Sequence, residues 1–142
     1  MIGVGNIMCE KWAKWLPIEG LSMKYYVDEI SDCMEGFVIK LSDSMDESKK
    51  IKVIFGDSVW AYRSTDESLR QETINLLDKK YGAEFYAEYT FFKVTDSEYI
   101  KWIEAQSYKI FDSKTLIHFS IIAVDSIVDV IATYEPEIIN NC

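Results

Sequence analysis

The sequence predicts an α+β domain: a mainly antiparallel sheet with two or three packed helices. Strand-like runs of alternating apolar and polar residues outnumber helical patterns, and the short links between many of them favour antiparallel pairing. Two helical stretches interrupt the strands without alternating strictly with them, unlike a Rossmann-type sheet. The chain has 142 residues, 49% hydrophobic and 14% aromatic, enough for one sizeable core. No linker, repeat or low-complexity tract divides it, so residues 1–142 read as a single domain.

Residues 1–20 form an N-terminal lead, short helical or irregular from Trp12 and broken by Pro17 and Gly20. Strands then fill much of 23–63. MKYYVDEI (23–30) is one, and GFVIKL (36–41) puts Phe37, Ile39 and Leu41 on one face. The run 42–50 is a polar loop. Ile51, Val53 and Phe55 share a face of the next strand, and a turn or bulge at Gly56-Asp57 precedes the strand SVWAYR. Ser64-Thr65-Asp66-Glu67 has the S-x-x-E form of a capping box, predicting a helix over 65–81 that stops at Gly82. An aromatic strand follows over 83–94. Thr95-Asp96-Ser97-Glu98 then caps a helix over 97–107, with Tyr99, Trp102, Ile103 and Gln106 on one face. Residues 115–134 read as a hairpin turning at Asp125-Ser126. Ile117, Phe119, Ile121, Val128, Val130 and Tyr134 fall on one face; His118, Ser120, Ile122, Ile127, Asp129 and Ile131 fall on the other.

Signatures of chemistry are missing from the sequence. It has neither GxGxxG nor GxxxxGK[ST], and the GVG at 3–5 is too short to cradle a phosphate; there is no G-x-S-x-G elbow. The single histidine, His118, lies inside an apolar strand and reads as a semi-buried residue with one satisfied nitrogen, so no catalytic residue is assigned. One histidine and three scattered cysteines (Cys9, Cys33, Cys142) make a Cys/His metal cage improbable, and no calcium-loop pattern occurs; neither metal nor cofactor is expected. Arg63 reads as pairing locally with Asp66 or Glu67, with a partner's carboxylate as the other reading.

Charge is the strongest compositional signal. Twenty-four acids against fifteen bases give a net charge of −9. Such a surface repels nucleic-acid backbones and anionic membranes and suits a basic protein partner. Residues 28–47 concentrate it: Asp28, Glu29, Asp32, Glu35, Asp43, Asp46 and Glu47 surround a single base, Lys40. With Tyr26 just upstream, they form a candidate binding face in which an aromatic anchors and the acids steer. The other reading is a solvated hairpin over core tyrosines. An odd count of scattered thiols, the absence of a secretory leader pattern and the absence of a long apolar window point to the cytoplasm.

Four stretches carry a resemblance: WLPIEGL (15–21), VWAYRSTDES (59–68), TFFKVTDSEYIKW (90–102) and HFSIIAVDSIVDVIATYEPEI (118–138). Their order and spacing, across roughly residues 12–138, resemble small acidic immunity proteins of bacterial polymorphic or contact-dependent, wall-associated toxin systems. The resemblance implies a cytoplasmic inhibitor that binds a cognate toxin's C-terminal domain, often a nuclease, and blocks its active site or substrate path. These are strand, cap and turn patterns, so no functional residue carries over. Two other readings stand beside it: an enzyme or ligand-binding protein with a pocket lined by Trp60, Tyr62, Tyr89 and His118, and a homo-oligomeric structural module joined through the hairpin face.

Overall fold

The computed structural model describes residues 7–140; the GVG stretch and Cys142 lie outside the described residues. The strands are β1 (Lys11–Lys14), β2 (Tyr25–Cys33), β3 (Gly36–Asp43), β4 (Lys50–Gly56), β5 (Val59–Asp66), β6 (Phe91–Thr95), β7 (Ile117–Ile122), β8 (Ser126–Ala132) and β9 (Glu137–Asn140). The helices are α1 (Gln71–Tyr81), α2 (Glu84–Ala87) and α3 (Glu98–Gln106). All pairings are antiparallel, in one sheet ordered β1-β6-β7-β8-β5 and another ordered β2-β3-β4-β9. The α+β domain is therefore present, with its strands divided between two sheets.

Three layers result. Alternation in β3 and β4 turns Phe37, Ile39, Leu41, Ile51, Val53 and Phe55 inward. Edge-to-face aromatic contact joins the sheets where Phe55 meets Phe119 (5.5 Å), and Phe37 meets Tyr62 at 4.7 Å. On the far side of the five-stranded sheet, Phe85 packs on Phe92 and Tyr99 on His118, so the helices cover that face. Strands β7 and β8 are thus buried on both faces, which explains their nearly continuous apolar runs. Lys24 ties the layers, donating to the carbonyls of Tyr86 (2.7 Å), Tyr89 (2.9 Å) and Ile122 (2.5 Å). Burial lowers its ammonium to about 8, against a weaker opposing pull from Glu67.

Several local expectations change. The lead contains a strand: β1 pairs with β6, Trp12 opposite Val94. The helix expected over 65–81 begins later. Ser64 and Thr65 remain in β5, Asp66 caps a single 3-10 turn at Glu67–Leu69 by accepting from Ser68 N–H, and α1 starts after Arg70. The S-x-x-E pattern does not act because Ser64 is held in the ladder opposite Val128. Gly82 does end α1, at φ 88°. The strand expected over 83–94 is only its second half, since Glu84–Ala87 form a helical turn. Ser97 caps α3 through Ile100 N–H, as its position predicts. The last hairpin turns one residue early, with Ile122 opposite Ile127 and an Ala123 N–H bond to Ser126 O. One residue in the turn moves the pairing by two, so both predicted faces survive within the strands, while Tyr134 lies beyond β8 and is exposed.

Candidate functional site

Two regions carry the candidate residues, one on each side of the molecule. The acids read from the sequence belong to the four-stranded sheet. Its inner face packs on its neighbour and its outer face is open, carrying Tyr26, Val38, Lys40, Lys52, Ile54 and Ile139. A register shift between Val27 and Glu29 sends both Asp28 and Glu29 to this outer face: Glu29 lies opposite Lys40, and Asp28 accepts from Ser42 Oγ. Lys50 and Lys40 lie 3.9 and 3.6 Å from these two carboxylates, so both acids are already paired.

The remaining acids do not form one rim. Asp32 and Glu35 sit at the β2–β3 turn beside the fully exposed Met34, whereas Asp46 and Glu47 occupy the β3–β4 loop at the other end of the sheet. Strand β3 lies between them, about 23 Å at ~3.3 Å per residue. Asp43 is not a surface charge. It is buried, accepts from Ser22 Oγ and Met45 N–H, and organises the loop; those hydrogen bonds hold its carboxyl below the usual aspartate range.

The other region was not legible as a site. Both arginines of the chain, Arg63 and Arg70, converge on one oxygen of Asp129: Arg63 Nε lies 2.9 Å and a terminal nitrogen of Arg70 2.7 Å from Oδ2. The other oxygen, Oδ1, lies 2.7 Å from His118 Nε2, and His118 Nδ1 lies 2.7 Å from Ser97 Oγ. Register explains the convergence. Arg63 is directly opposite Asp129, and His118 is the diagonal neighbour of Asp129 on the next strand and same face. Burial alone would raise the Asp129 carboxyl; the His118 hydrogen bond, with the two guanidiniums, overcomes it and holds the group well below the aspartate range. An ionised Asp129 only accepts, so Nε2 carries hydrogen, and in that tautomer Nδ1 accepts from Ser97.

Ser97, His118 and Asp129 have the residue types of a nucleophilic triad. All three are buried, however, and the Ser97 oxygen also caps α3 by accepting from Ile100 N–H. The chain of bonds ties a helix N-terminus to two central strands. Glu10, also buried, completes that tie: its carboxylate accepts from Glu98 N–H (2.9 Å) and Trp12 Nε1 (3.3 Å).

In front of the arginines lies a cleft of about 770 Å³ between α1 and α3. Arg63 and Arg70 border it, with Tyr99 and Trp102 forming an aromatic wall. The Arg63 guanidinium lies over the Tyr99 ring, 4.3 Å from its centroid. The pocket read from sequence is not this one: Trp60, Tyr62 and Tyr89 lie outside it, and His118 contributes only from behind Asp129. Nor does Arg63 pair with Asp66 or Glu67, because the ladder puts Asp129 directly opposite it. The signal for this region was a charge inside an apolar strand: Asp129 in IVDVIA requires buried partners, and only two arginines existed to supply a fork. Among the described residues, no group of three or more His, Cys, Asp or Glu is placed to hold a metal, and no helix is long and apolar enough to cross a membrane. Comparison of the chain with protein families, curated proteins and solved structures finds no match.

Proposed function

We propose that this chain is an immunity protein, which binds and neutralises a basic toxin domain, a nuclease being the expected kind, in the cytoplasm. The observation that carries the reading is the open face of the four-stranded sheet. Its partly apolar strip of Tyr26, Val38, Ile54 and Ile139, interrupted by Lys40 and Lys52, is flanked by exposed acids at both ends. A strip about 23 Å long suits a standard protein interface. The net charge of −9 favours a cationic partner and disfavours a nucleic acid or an anionic membrane. Asp32, Glu35, Asp46 and Glu47 supply steering, Tyr26 supplies contact area, and Asp28 and Glu29 are paired with Lys50 and Lys40.

Such a gene should lie immediately downstream of a large toxin gene. The test is to purify the C-terminal domain encoded there and to measure its binding to this chain and the rescue of its toxicity by co-expression. The expected result is a tight one-to-one complex with rescue. A correctly folded chain that neither binds nor rescues ends the reading.

A further inference from the structure

We propose that the cleft between α1 and α3 binds a small organic monoanion, a carboxylate carried on a flat apolar body. The site is on the helix side of the molecule, away from the open sheet face, so it stands independently of the toxin reading. At about 770 Å³ the cleft is within the range of small-molecule sites.

Its floor carries one surplus positive charge, because two guanidiniums share the single carboxylate of Asp129. Among the described residues, donors remain for a ligand. Arg63 spends Nε on Asp129, leaving both terminal nitrogens; Arg70 spends Nε on Thr73 and one terminal nitrogen on Asp129, leaving the other. Asp129 and the Tyr99 ring hold Arg63 in place, so little side-chain freedom is lost when an anion meets its fork. Trp102, about half exposed, supplies a flat apolar wall, and Leu69 adds apolar surface.

The acids around the cleft select the ligand's charge. Glu10 is committed to Trp12 and the α3 N-terminus, and Glu98 lies 3.6 Å from Lys101, leaving Glu72 as the acid without an ion pair or such a tie among the described residues. A dianion such as hydrogen phosphate therefore meets two carboxylates without a cationic partner among the described residues, Glu10 and Glu72, over a floor with only one surplus positive charge. A monoanion balances the floor, and its apolar body lies against Trp102.

Having only two arginines makes the test direct, because the ¹⁵N spectrum of the full chain holds just two arginine Nε–H signals. The chain is titrated with benzoate, acetate, benzyl alcohol and inorganic phosphate at constant ionic strength. Benzoate is expected to move both arginine signals and the Trp102 indole signal along one saturating curve. Acetate should bind at least about tenfold more weakly, benzyl alcohol should leave the arginine signals in place, and phosphate should not compete. Trp102→Ala, at an exposed position, should raise the benzoate dissociation constant roughly tenfold with the rest of the spectrum unchanged. Arg63→Gln should abolish saturation if it folds; if it does not, Trp102→Ala alone decides. No saturable arginine shift at roughly 20 mM benzoate (weaker than ordinary ligand affinity), benzoate binding unaffected by Trp102→Ala, or phosphate binding more tightly than benzoate would each overturn the assignment.

Discussion

Asp129 concentrates more interactions than any other side chain in the two candidate regions. Its carboxylate is fully buried and is met by Arg63, Arg70 and His118. Removing one member of a buried pair costs about 3–5 kcal/mol. Asp129→Asn is expected near the lower end, roughly 3 kcal/mol, because the half-exposed Arg63 can still turn to water. The pH response has a definite sign. The folded-state pKa of Asp129 lies below the unfolded value, so its stabilisation is complete above about pH 4 and is lost as pH falls from there towards the folded value. Asp43, Asp46, Asp66 and Glu135 shift in the same direction, so urea unfolding between pH 7 and 3 should show a shallower loss in Asp129→Asn, not a flat line. Ser120 provides the contrast. It lies opposite Asp129 in the ladder, yet its hydroxyl is buried without a hydrogen-bond partner among the described residues. Ser120→Ala should be neutral or stabilise by up to about 1 kcal/mol, read from the denaturation midpoint; a loss above that would mean the hydroxyl has a partner after all.

At the scale of elements, α3 is fixed at its start. Ser97 accepts from Ile100 N–H and faces His118, while Glu10 reaches across from the N-terminal segment to Glu98 N–H. Ser97→Ala removes a cap, worth about 1 kcal/mol, and strips a buried ring nitrogen of its partner, worth about 1–3 more. A total loss of roughly 2–4 kcal/mol is expected in thermal unfolding, with hydrogen exchange in α3 accelerated before that in β7. A loss below about 1 kcal/mol would show that the cap and the His118 contact do not act together. The β2–β3 turn has a different constraint. Gly36 has φ 122°, and an added Cβ would lie 3.0 Å from the Gly56 backbone on the adjacent strand. Gly36→Ala should cost roughly 1–3 kcal/mol and broaden signals across the hairpin end that carries Asp32 and Glu35. Gly20 also has positive φ but faces open space, so the same substitution there carries only the backbone cost.

Over the whole molecule, the two sheets divide the labour. The five-stranded sheet is covered on both faces at its central strands β6, β7 and β8 and holds the buried charge network; the four-stranded sheet gives its inner face to the shared core and keeps its outer face open. If that face receives the basic toxin domain, association should slow as salt rises, since exposed charges are screened beyond ~8 Å at physiological ionic strength. Ser replacements at Asp32 with Glu35, and separately at Asp46 with Glu47, should each slow association several-fold and change dissociation little. Tyr26→Ala should instead raise the dissociation rate. Stopped-flow rates at two salt concentrations separate these effects. If only one pair of acids matters, the partner docks at one end of the sheet instead of along it.

What the sequence determined by itself was local and periodic. Alternation identified β3, β4 and the two faces of the β7–β8 hairpin, and Ser97 and Gly82 marked a helix start and a helix stop; each signal is written within a few residues. Only the tertiary structure decided the rest. A four-residue strand such as β1 or β9 is too short for a periodic signal and exists because a neighbouring ladder has an edge to fill. Ser64 was denied its capping role by its pairing with Val128, and Arg63 found Asp129 because β5 adds to the far edge of β8. Acids close together in sequence ended about 23 Å apart because a strand runs between them, while Ser97, His118, Asp129 and both arginines were gathered from five separate segments. Sequence proximity reports what one turn or strand can do. Charge pairing across a sheet depends on strand order, which no short stretch of residues contains.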